Sequence, residues 1–353
     1  MDVTPGQEGA AQRAQLEALY AEMRPLSLFP LWEVLAALVT PTPRSGAFAH
    51  RWHYNVARDH LLRAGDLISA EQAERRVLIL ENPGLPGTSA ITTSLYAGLQ
   101  LILPGEVAPC HRHAQSALRF VLEGDGAHTA VDGEKAIMRP FDLVLTPNWQ
   151  WHDHGNGSHK PMIWLDGLDI PILRHFDASF AERLPTADHP ETAKPGDTAL
   201  RYGRNMRPFP RSSAARRPAV LPLFHYPYLE WRESLQALAA AEAPDPHLGH
   251  ALEFTNPADG GPIMPTIAAH VRLLPRGFET KPRRSTDAGI FVVVRGRGHA
   301  RIGDQEFPLS ERDILVVPSW QTLTLRAETE LKLFSYSDRA AQEKLGLYRE
   351  EKL

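Results

Sequence analysis

The strongest constraint on the fold of this 353-residue chain is that its second half resembles its first half at a fixed spacing. The string RDILVVPSWQ at 312–321 lies on FDLVLTPNWQ at 141–150 with a shift of 171 residues, and LLPRG at 273–277 lies on LILPGE at 101–106 with the same shift. Two matching runs at one spacing indicate an internal duplication. We therefore expect two copies of one domain.

The repeated unit has the pattern of β-strands. Between 93 and 103 the chain alternates two sets of side chains, the period of two that a strand with distinct faces shows. One set is Leu95, Ala97, Leu99 and Leu101, and the other is Tyr96, Gly98 and Gln100. Short strands separated by Gly, Pro and Asp-Gly turns continue to about residue 173, and the 30 prolines favour many turns and connections. The sequence predicts an all-β-dominated fold of two β-barrels.

Segments of different pattern surround the two strand-rich blocks. Apolar residues at mixed three- and four-residue spacing at 8–40 predict a helical arm, and a further helix is predicted around 228–243. The predicted organisation has five parts, listed here: an N-terminal helical arm at 1–80, a first barrel at 81–180, a linker with a helix at 181–262, a second barrel at 263–340 and a tail at 341–353.

Charge and cysteine content exclude several function classes. A formal net charge of -4 gives no basic footprint, so neither nucleic acid nor a membrane surface is an expected partner. The single cysteine, Cys110, rules out a disulfide framework within one chain and fits a reducing cytoplasm. No secretory signal is visible, and no apolar run reaches the length of a membrane span.

Three histidines are placed to share one metal ion. His111 and His113 are two apart in a segment of strand character, so their side chains project from the same face. His152 follows after a strand and a turn, where a neighbouring antiparallel strand can bring it inward. Three neutral imidazoles facing one cavity form a site for Fe, Cu, Zn or Ni.

The spacing around these histidines resembles the two cupin motifs. The first motif is met by Gly105, His111, His113 and Gly124, with Ala117 where the motif has Glu. The second is met by Pro147, His152 and Asn156, with Phe141 and Trp149 in place of its two glycines. The match covers about fifty residues, and it predicts that the first barrel is a metal-binding cupin.

Within the cupins, HRHAQSALRFVLEGDGAHTAVDGE, TPNWQWHDHGN and WLDGLDIP closely resemble the gentisate 1,2-dioxygenase family, which includes relatives acting on salicylate and 1-hydroxy-2-naphthoate. The resemblance implies a bicupin of two double-stranded β-helix (jelly-roll) barrels, usually assembled as a homotetramer. It also implies one Fe(II) ion on the three histidines and O2-dependent cleavage of the ring of gentisate to maleylpyruvate. Without the carboxylate ligand that Ala117 replaces, the iron would keep more open positions for an anionic chelating substrate and O2.

Polar residues near the motifs are candidates for substrate binding. Arg119 lies on the same face as His113 in a regular strand, and a guanidinium matches a carboxylate through two parallel hydrogen bonds. We expect Arg119 to bind the substrate carboxylate and to take part in catalysis, although an exposed arginine would fit the same spacing. Gln100 and Tyr96 share a face of the preceding strand, where the family places polar substrate contacts. Satisfying a neighbouring backbone group is their alternative role.

Two further candidates lie beyond the third ligand. His154 should face the same cavity, and Asp166 could fix its tautomer or take a proton from a substrate hydroxyl. We expect both to contact the substrate and act in catalysis; the alternative is a pair that only orients the metal ligands. An upstream arginine reaches the site in relatives, and the sequence does not decide between Arg75 and Arg76.

The second copy lacks the ligands. The 171-residue shift places the three ligand positions on Pro282, Arg284 and Leu323, none of which can hold iron there. His270 and His299 in that half fit no cupin motif. We expect a barrel without metal that has a structural or assembly role.

Two other hypotheses remain at this point. A different metal-dependent cupin enzyme would commonly keep the Glu that Ala117 replaces. A non-catalytic small-molecule-binding cupin would carry a DNA-binding helix-turn-helix if it were a sensor, or lose the ligands from both barrels if it were a storage protein. Within the family, Tyr96 suits a second ring hydroxyl and favours gentisate over salicylate, while 1-hydroxy-2-naphthoate stays open because the sequence does not give the pocket width.

Overall fold

The computed structural model describes residues 5–184, 190–203 and 223–353. The chain forms two compact units, one ending at Arg44 and one running from Ser45 to Leu353. Parts of the predicted linker, at 185–189 and 204–222, lie outside the described residues. Within the described ranges, no helix is long and apolar enough to cross a membrane.

The first unit is helical, as its apolar spacing predicted. It consists of α1 (Pro5–Met23), a 3-10 turn (Arg24–Leu26) and α2 (Leu31–Leu38). The indole Nε1 of Trp32 donates to Tyr20 Oη at 2.8 Å, and that hydroxyl donates to Glu33 at 2.7 Å, which ties α2 to α1. Large apolar side chains around α2 stay exposed, namely Leu28, Phe29, Leu31, Trp32, Leu35, Leu38 and Val39.

The second unit is dominated by strands. Its helices are α3 (Tyr54–Leu67), α4 (Ala70–Ala73), α5 (Ile170–His175), α6 (Asp197–Tyr202), α7 (Tyr228–Ala241) and α8 (Arg339–Lys344). The strands of its first part are β1 (His50–Trp52), β2 (Arg76–Ile79), β3 (Tyr96–Ile102), β4 (Val107–His113), β5 (Ala117–Glu123), β6 (Ala127–Val131), β7 (Glu134–Ile137), β8 (Leu143–Thr146), β9 (His152–Asn156), β10 (Met162–Leu168), β11 (Ala181–Arg183) and β12 (His225–Tyr226). The strands of its second part are β13 (His250–Glu253), β14 (Ala268–Leu274), β15 (Arg283–Ser285), β16 (Gly289–Arg295), β17 (Gly298–Ile302), β18 (Gln305–Leu309), β19 (Ile314–Val317), β20 (Leu323–Ala327), β21 (Leu331–Ser337) and β22 (Glu350–Lys352).

Each barrel combines a six-stranded and a five-stranded antiparallel sheet. The first barrel has the strand orders β12-β8-β5-β10-β3-β2 and β11-β4-β9-β6-β7. The second has β1-β19-β16-β21-β14-β13 and β18-β17-β20-β15-β22. Segments outside the two strand-rich blocks supply edge strands: β1 and β2 precede the first block, β11 and β12 lie between the blocks, and β22 follows the second. These additions pair backbone groups that an open sheet edge would leave exposed.

The two six-stranded sheets share one apolar core. The ring of Phe120 on β5 stacks on the ring of Phe334 on β21, with centroids 4.0 Å apart and planes 4° from parallel. Strand β5 is therefore buried on both faces, one toward its own barrel and one toward the other barrel. This explains why ALRFVLE reads as a nearly continuous apolar run rather than a strict alternation.

The duplication extends to unusual backbone angles. Phe141 and Trp149, which replace the glycines of the second cupin motif, have φ of 69° and 63°. Their counterparts 171 residues later, Arg312 and Trp320, have φ of 67° and 64°. This left-handed region costs a residue with a Cβ about 1–2 kcal/mol. Both barrels therefore keep the glycine-type turn geometry without the glycines.

Candidate metal centre and surrounding pocket

The three predicted histidines converge inside the first barrel. His111 and His113 lie on β4, and His111 pairs directly with His152 on the neighbouring β9. One ring nitrogen from each residue lies within 4.8 Å of the others, and all three side chains are buried. Among the described residues, no carboxylate joins this group. Ala117, at the position of the motif's Glu, is a buried residue of β5.

Backbone carbonyls orient the imidazoles. Nδ1 of His113 lies 2.9 Å from the carbonyl oxygen of Gln115, and Nδ1 of His152 lies 2.9 Å from that of Gln150. A carbonyl oxygen only accepts, so Nδ1 carries the proton in both rings and Nε2 keeps its lone pair. Nε2 of His152 is buried and has no hydrogen-bond partner in the part of the chain that the structure describes. A buried lone pair of this kind fits a metal ligand.

Burial keeps the triad neutral. It lowers the pKa of His113 to about 4 and the pKa of His152 well below its ordinary value, with neighbouring imidazoles and Arg119 acting in the same direction on His152. The pKa of His111 is lowered too, by burial first and by Arg75 next. Metal ligation needs the neutral imidazole. These donors therefore fit a divalent ion with affinity for nitrogen ligands.

Arg75, and not Arg76, reaches the centre. Nη2 of Arg75 lies 2.7 Å from Nδ1 of His111 and is also close to Nε2 of that ring. Arg76 turns the other way and forms an ion pair with Glu106. Between α4 and β2, Glu74 has a φ of 54° and Arg75 follows it directly. The structure thus answers the question that the sequence left open.

Arg119 and Asp166 lie opposite each other on neighbouring strands of the same barrel. They are paired residues of β5 and β10, and Nε of Arg119 lies 3.5 Å from Oδ1 of Asp166. Arg119 also donates to Thr146 Oγ1, and Trp164 Nε1 donates to Asp166 at 3.0 Å. Burial raises the pKa of Asp166 to about 6, although Arg119 and Arg75 act to lower it.

His154 faces a different partner from the one the sequence suggested. Its Nδ1 lies 2.9 Å from Thr129 Oγ1 on β6, so Thr129 and not Asp166 fixes its orientation. Its ring centroid lies 5.6 Å from that of His152. Nε2 of His154 is buried without a hydrogen-bond partner among the described residues. The ring therefore offers one unused polar atom beside the metal ligands.

Tyr96 and Gln100 lie on the strand beside Asp166. On β3, Gln100 pairs with Trp164 and Tyr96 pairs with Leu168. Gly98, between them, pairs with Asp166, so Tyr96 and Gln100 project from the same face of the sheet as Asp166. Gln100 is buried, and burial raises the pKa of Tyr96, with the charge of Asp166 acting in the same direction. The charges of Asp166 and Arg75 both act on the pKa of Tyr96, so the three side chains lie in one part of the pocket.

A cleft of about 660 Å³ leads to His111. It is lined by Ala70, Glu71, Ala73, Glu74, Arg75, Val107, Pro109, His111, Ala181, Glu182 and Arg183. Glu74 and Arg183 form an ion pair of 2.5 Å at this cleft. Apart from His111 and Arg75, these wall residues were not predicted from the sequence. The sequence held one signal for part of this wall: Ser69 and Gln72 form a capping box, which fixes the start of α4.

Comparison with known proteins agrees with this geometry. Residues 98–168 match the cupin domain model. The chain is 50% identical to gentisate 1,2 dioxygenase 1 of Aquipseudomonas alcaligenes over 98% of this chain and 99% of the relative, and 34% identical to a 1-hydroxy-2-naphthoate dioxygenase of Nocardioides sp. over 98% and 90%. A crystal structure of salicylate 1,2-dioxygenase from Pseudoaminobacter salicylatoxidans as an adduct with gentisate superimposes with a TM-score of 0.90 at 32% identity, covering 100% of this chain and 95% of that one.

Two barrels with one histidine triad define a bicupin, as the sequence predicted. The chain belongs to the gentisate 1,2-dioxygenase family of ring-cleaving dioxygenases. Family membership also excludes the non-catalytic cupin hypothesis, because the relatives are enzymes.

Proposed function

We propose that this protein is a gentisate 1,2-dioxygenase that binds Fe(II) on His111, His113 and His152 and cleaves the ring of gentisate to maleylpyruvate with both atoms of O2. The observation that carries the proposal is the buried Arg119 together with the partly buried Arg75, next to a neutral histidine triad that has no carboxylate. Such a pocket favours an anionic aromatic substrate. The relative of 50% identity, which is named for gentisate, supports the same substrate.

The donor set fits iron. Three neutral imidazoles suit Fe, Zn, Cu or Ni, and an iron ion held by only three protein ligands retains open coordination positions. When bound, Fe(II) would supply the redox step that lets electrons from the hydroxylated ring reach O2. The hydrogen bonds from Nδ1 of His113 and His152 to backbone carbonyls would hold the rings in place for this ion.

The arginines bind and orient the substrate in this proposal. Arg119 offers guanidinium donors for the substrate carboxylate, since its Nε is buried and has no hydrogen-bond partner among the described residues. Arg75 adds a second positive charge on the His111 side of the pocket. Charge-assisted hydrogen bonds of this type are about twice as strong as neutral ones, and they fix the ring relative to the metal position.

Asp166 and its neighbours handle the hydroxyl groups. A carboxylate with a pKa of about 6 is well placed to accept a proton from a substrate hydroxyl near neutral pH. Tyr96 and Gln100 supply hydrogen-bonding groups for the hydroxyl on the far side of the ring, and Nε2 of His154 supplies another. This second-hydroxyl contact is what favours gentisate over salicylate. Salicylate remains the second candidate because a salicylate dioxygenase shares the fold at a TM-score of 0.90.

Features outside the pocket support the proposed assembly and compartment. The exposed apolar side chains around α2, including Phe29 and Trp32, favour burial against another subunit, in keeping with a homotetramer. The single cysteine, Cys110, is buried, as expected for a protein of the reducing cytoplasm.

Oxygen uptake tests the proposed substrate. The protein is reconstituted anaerobically with Fe(II), and O2 consumption is followed with gentisate, salicylate and 1-hydroxy-2-naphthoate. We expect one O2 consumed per gentisate, and a kcat/KM for gentisate at least tenfold above that for the other two. Faster turnover of salicylate would reassign the substrate, and turnover of none of the three would reject the proposal.

A further inference from the structure

The second barrel has a cavity at the place that corresponds to the metal centre. On β15 and β20, Arg283 pairs with Leu323, as His111 pairs with His152 in the first barrel. The backbone N–H of Trp320 donates to the carbonyl of Ser285 at 2.7 Å, as that of Trp149 does to His113 at 2.8 Å. Arg283 and Ser285 therefore stand at the positions of His111 and His113. The prediction of Pro282 and Arg284 from the constant 171-residue shift is wrong by one residue, because the offset of this strand is 172.

The same correspondence applies to the substrate-facing strands. Leu333 pairs with Arg272 and Ser335 with His270, just as Trp164 pairs with Gln100 and Asp166 with Gly98. In the second barrel, Arg272 thus replaces Gln100, and Ser335 replaces Asp166. The second copy has exchanged metal ligands and an acid for guanidinium and hydroxyl groups.

These side chains line one cavity of about 80 Å³. Its charged and polar wall includes His270, Arg272, Arg283, Arg284, Ser285, Asp287, Gln321, Ser335, Tyr336, Ser337 and Arg339. Two of the four arginines are already paired with glutamates, Arg284 with Glu351 and Arg339 with Glu343, each at 2.7 Å. The other two remain for a ligand.

The buried guanidinium of Arg272 carries most of the argument for a ligand. The residue is 7% exposed, and its Nε and Nη1 are buried without hydrogen-bond partners within the described parts of the chain. The guanidinium carbon lies 5.2 Å from the centre of the Phe291 ring, but the ring leaves Nε and Nη1 without a hydrogen-bond acceptor, which is costly for a buried charged group. Burial lowers the pKa of Arg272 to about 9, and the nearby charge of Arg283 acts in the same direction.

One carboxylate shares the cavity without neutralising it. Asp287 lines the wall, yet its Oδ1 is buried without a partner, and no ion pair joins it to an arginine among the described residues. Glu350 also acts on Arg272 electrostatically, but it accepts a hydrogen bond from Tyr348 at 2.7 Å and is not part of the wall. Asp287 offsets one of the two positive charges of Arg272 and Arg283, so one net positive charge remains. A monoanion therefore matches the charge of the cavity better than a dianion does.

We propose that the second barrel binds a small carboxylate anion, of the size of acetate, between Arg272 and Arg283. The planar guanidinium fork matches the two oxygens of a carboxylate. A cavity of about 80 Å³ is about half the size of the roughly 150 Å³ cavity that admits benzene, so acetate fits it better than an aromatic acid does. The hydroxyl of Ser335, on the cavity wall, adds a neutral donor.

Calorimetric titration of the metal-loaded protein tests this site. Sodium acetate, sodium phosphate and sodium benzoate are titrated at constant ionic strength into the wild type and into Arg283→Gln, with Arg301→Gln as the control because Arg301 is an exposed arginine of the same barrel. We expect acetate to bind at least tenfold more weakly to Arg283→Gln and equally well to wild type and Arg301→Gln. Benzoate binding should not change, because benzoate does not fit the cavity.

Two results would overturn the proposal. One is an acetate affinity that Arg283→Gln leaves unchanged; the other is phosphate binding that depends on Arg283 and is tighter than acetate binding. Arg272→Met provides a second variant that should also lose acetate. Arg283 is only partly buried, so its variant stays informative even if Arg272→Met does not fold.

Discussion

Arg119 and Asp166 face each other across β5 and β10, with Nε of the arginine 3.5 Å from Oδ1 of the carboxylate and both side chains almost completely buried. The pair is close enough for electrostatic coupling, yet Nε makes no hydrogen bond among the described residues. Asp166 therefore does not saturate the guanidinium, which has five N–H donors. The remaining donors are what a substrate carboxylate would use.

Replacing Arg119 should weaken substrate binding and leave the metal in place. A hydrogen bond to a charged group contributes about 1.5–3 kcal/mol, so Arg119→Gln should raise the anaerobic Kd for gentisate by about 10–100-fold. Iron content, measured by atomic absorption, should equal that of the wild type because Arg119 is not a ligand. An unchanged Kd would reject the carboxylate-binding role.

Asp166 should set the acid limb of the pH profile. A base with a pKa of about 6 is active when deprotonated, so kcat/KM should be constant above pH 6 and fall tenfold per pH unit below it. Asp166→Asn should remove this limb and lower kcat by about 10²–10⁴-fold. Asp169 is the matched control, since burial also raises its pKa to about 6 while its carboxylate is held by Ser116 and Thr266. If Asp169→Asn moved the limb and Asp166→Asn did not, the assignment would be wrong.

Adjacent arginines should behave differently on substitution. Arg75→Met removes the charge beside His111 and should lower kcat/KM for gentisate by about 10–100-fold with little change in thermal stability. Arg76→Met breaks the partly buried pair with Glu106 and leaves that carboxylate with only the backbone N–H of Leu103, so it should lower the unfolding temperature with kcat/KM nearly unchanged. Steady-state kinetics and thermal unfolding of both variants separate the two roles. Equal loss of activity in both would contradict the distinction.

A glutamate at position 117, where the first cupin motif has one, should fill an open coordination position of the metal centre. Ala117 and Arg119 are two apart on β5 and so project from the same face toward the pocket. In Ala117→Glu, a fourth protein ligand would occupy a position that the substrate needs, so iron should be held more tightly while activity falls at least 100-fold. Ala117→Gln has the same size without the charge and controls for crowding of this buried position. Full activity of Ala117→Glu would show that the missing carboxylate is irrelevant to the reaction.

The sequence predicted most of the metal centre because its determinants are local. A period of two puts His111 and His113 on one face, and the second motif places His152 on the next strand. The choice between Arg75 and Arg76 was not predictable, because it depends on partners distant in the sequence: Arg75 lies beside His111, and Arg76 pairs with Glu106.

Long-range pairing accounts for the other differences. Thr129 meets His154 only through the register of β6 with β9, which no local pattern shows. The constant shift failed on β15 because the two copies differ by one residue between β4 and β9, so Arg283 rather than Pro282 is the counterpart of His111. Correspondence between duplicated barrels is therefore better read from strand partners than from sequence offset.

The most direct test of the account is a crystal structure of the protein loaded anaerobically with Fe(II) and gentisate, with anomalous data collected at the iron edge. We predict one iron peak at bonding distance from Nε2 of His111, His113 and His152, no protein carboxylate among its ligands, and the gentisate carboxylate on the side of Arg119 and Arg75. An iron peak away from the three imidazoles, or an aspartate or glutamate bound to the ion, would contradict it.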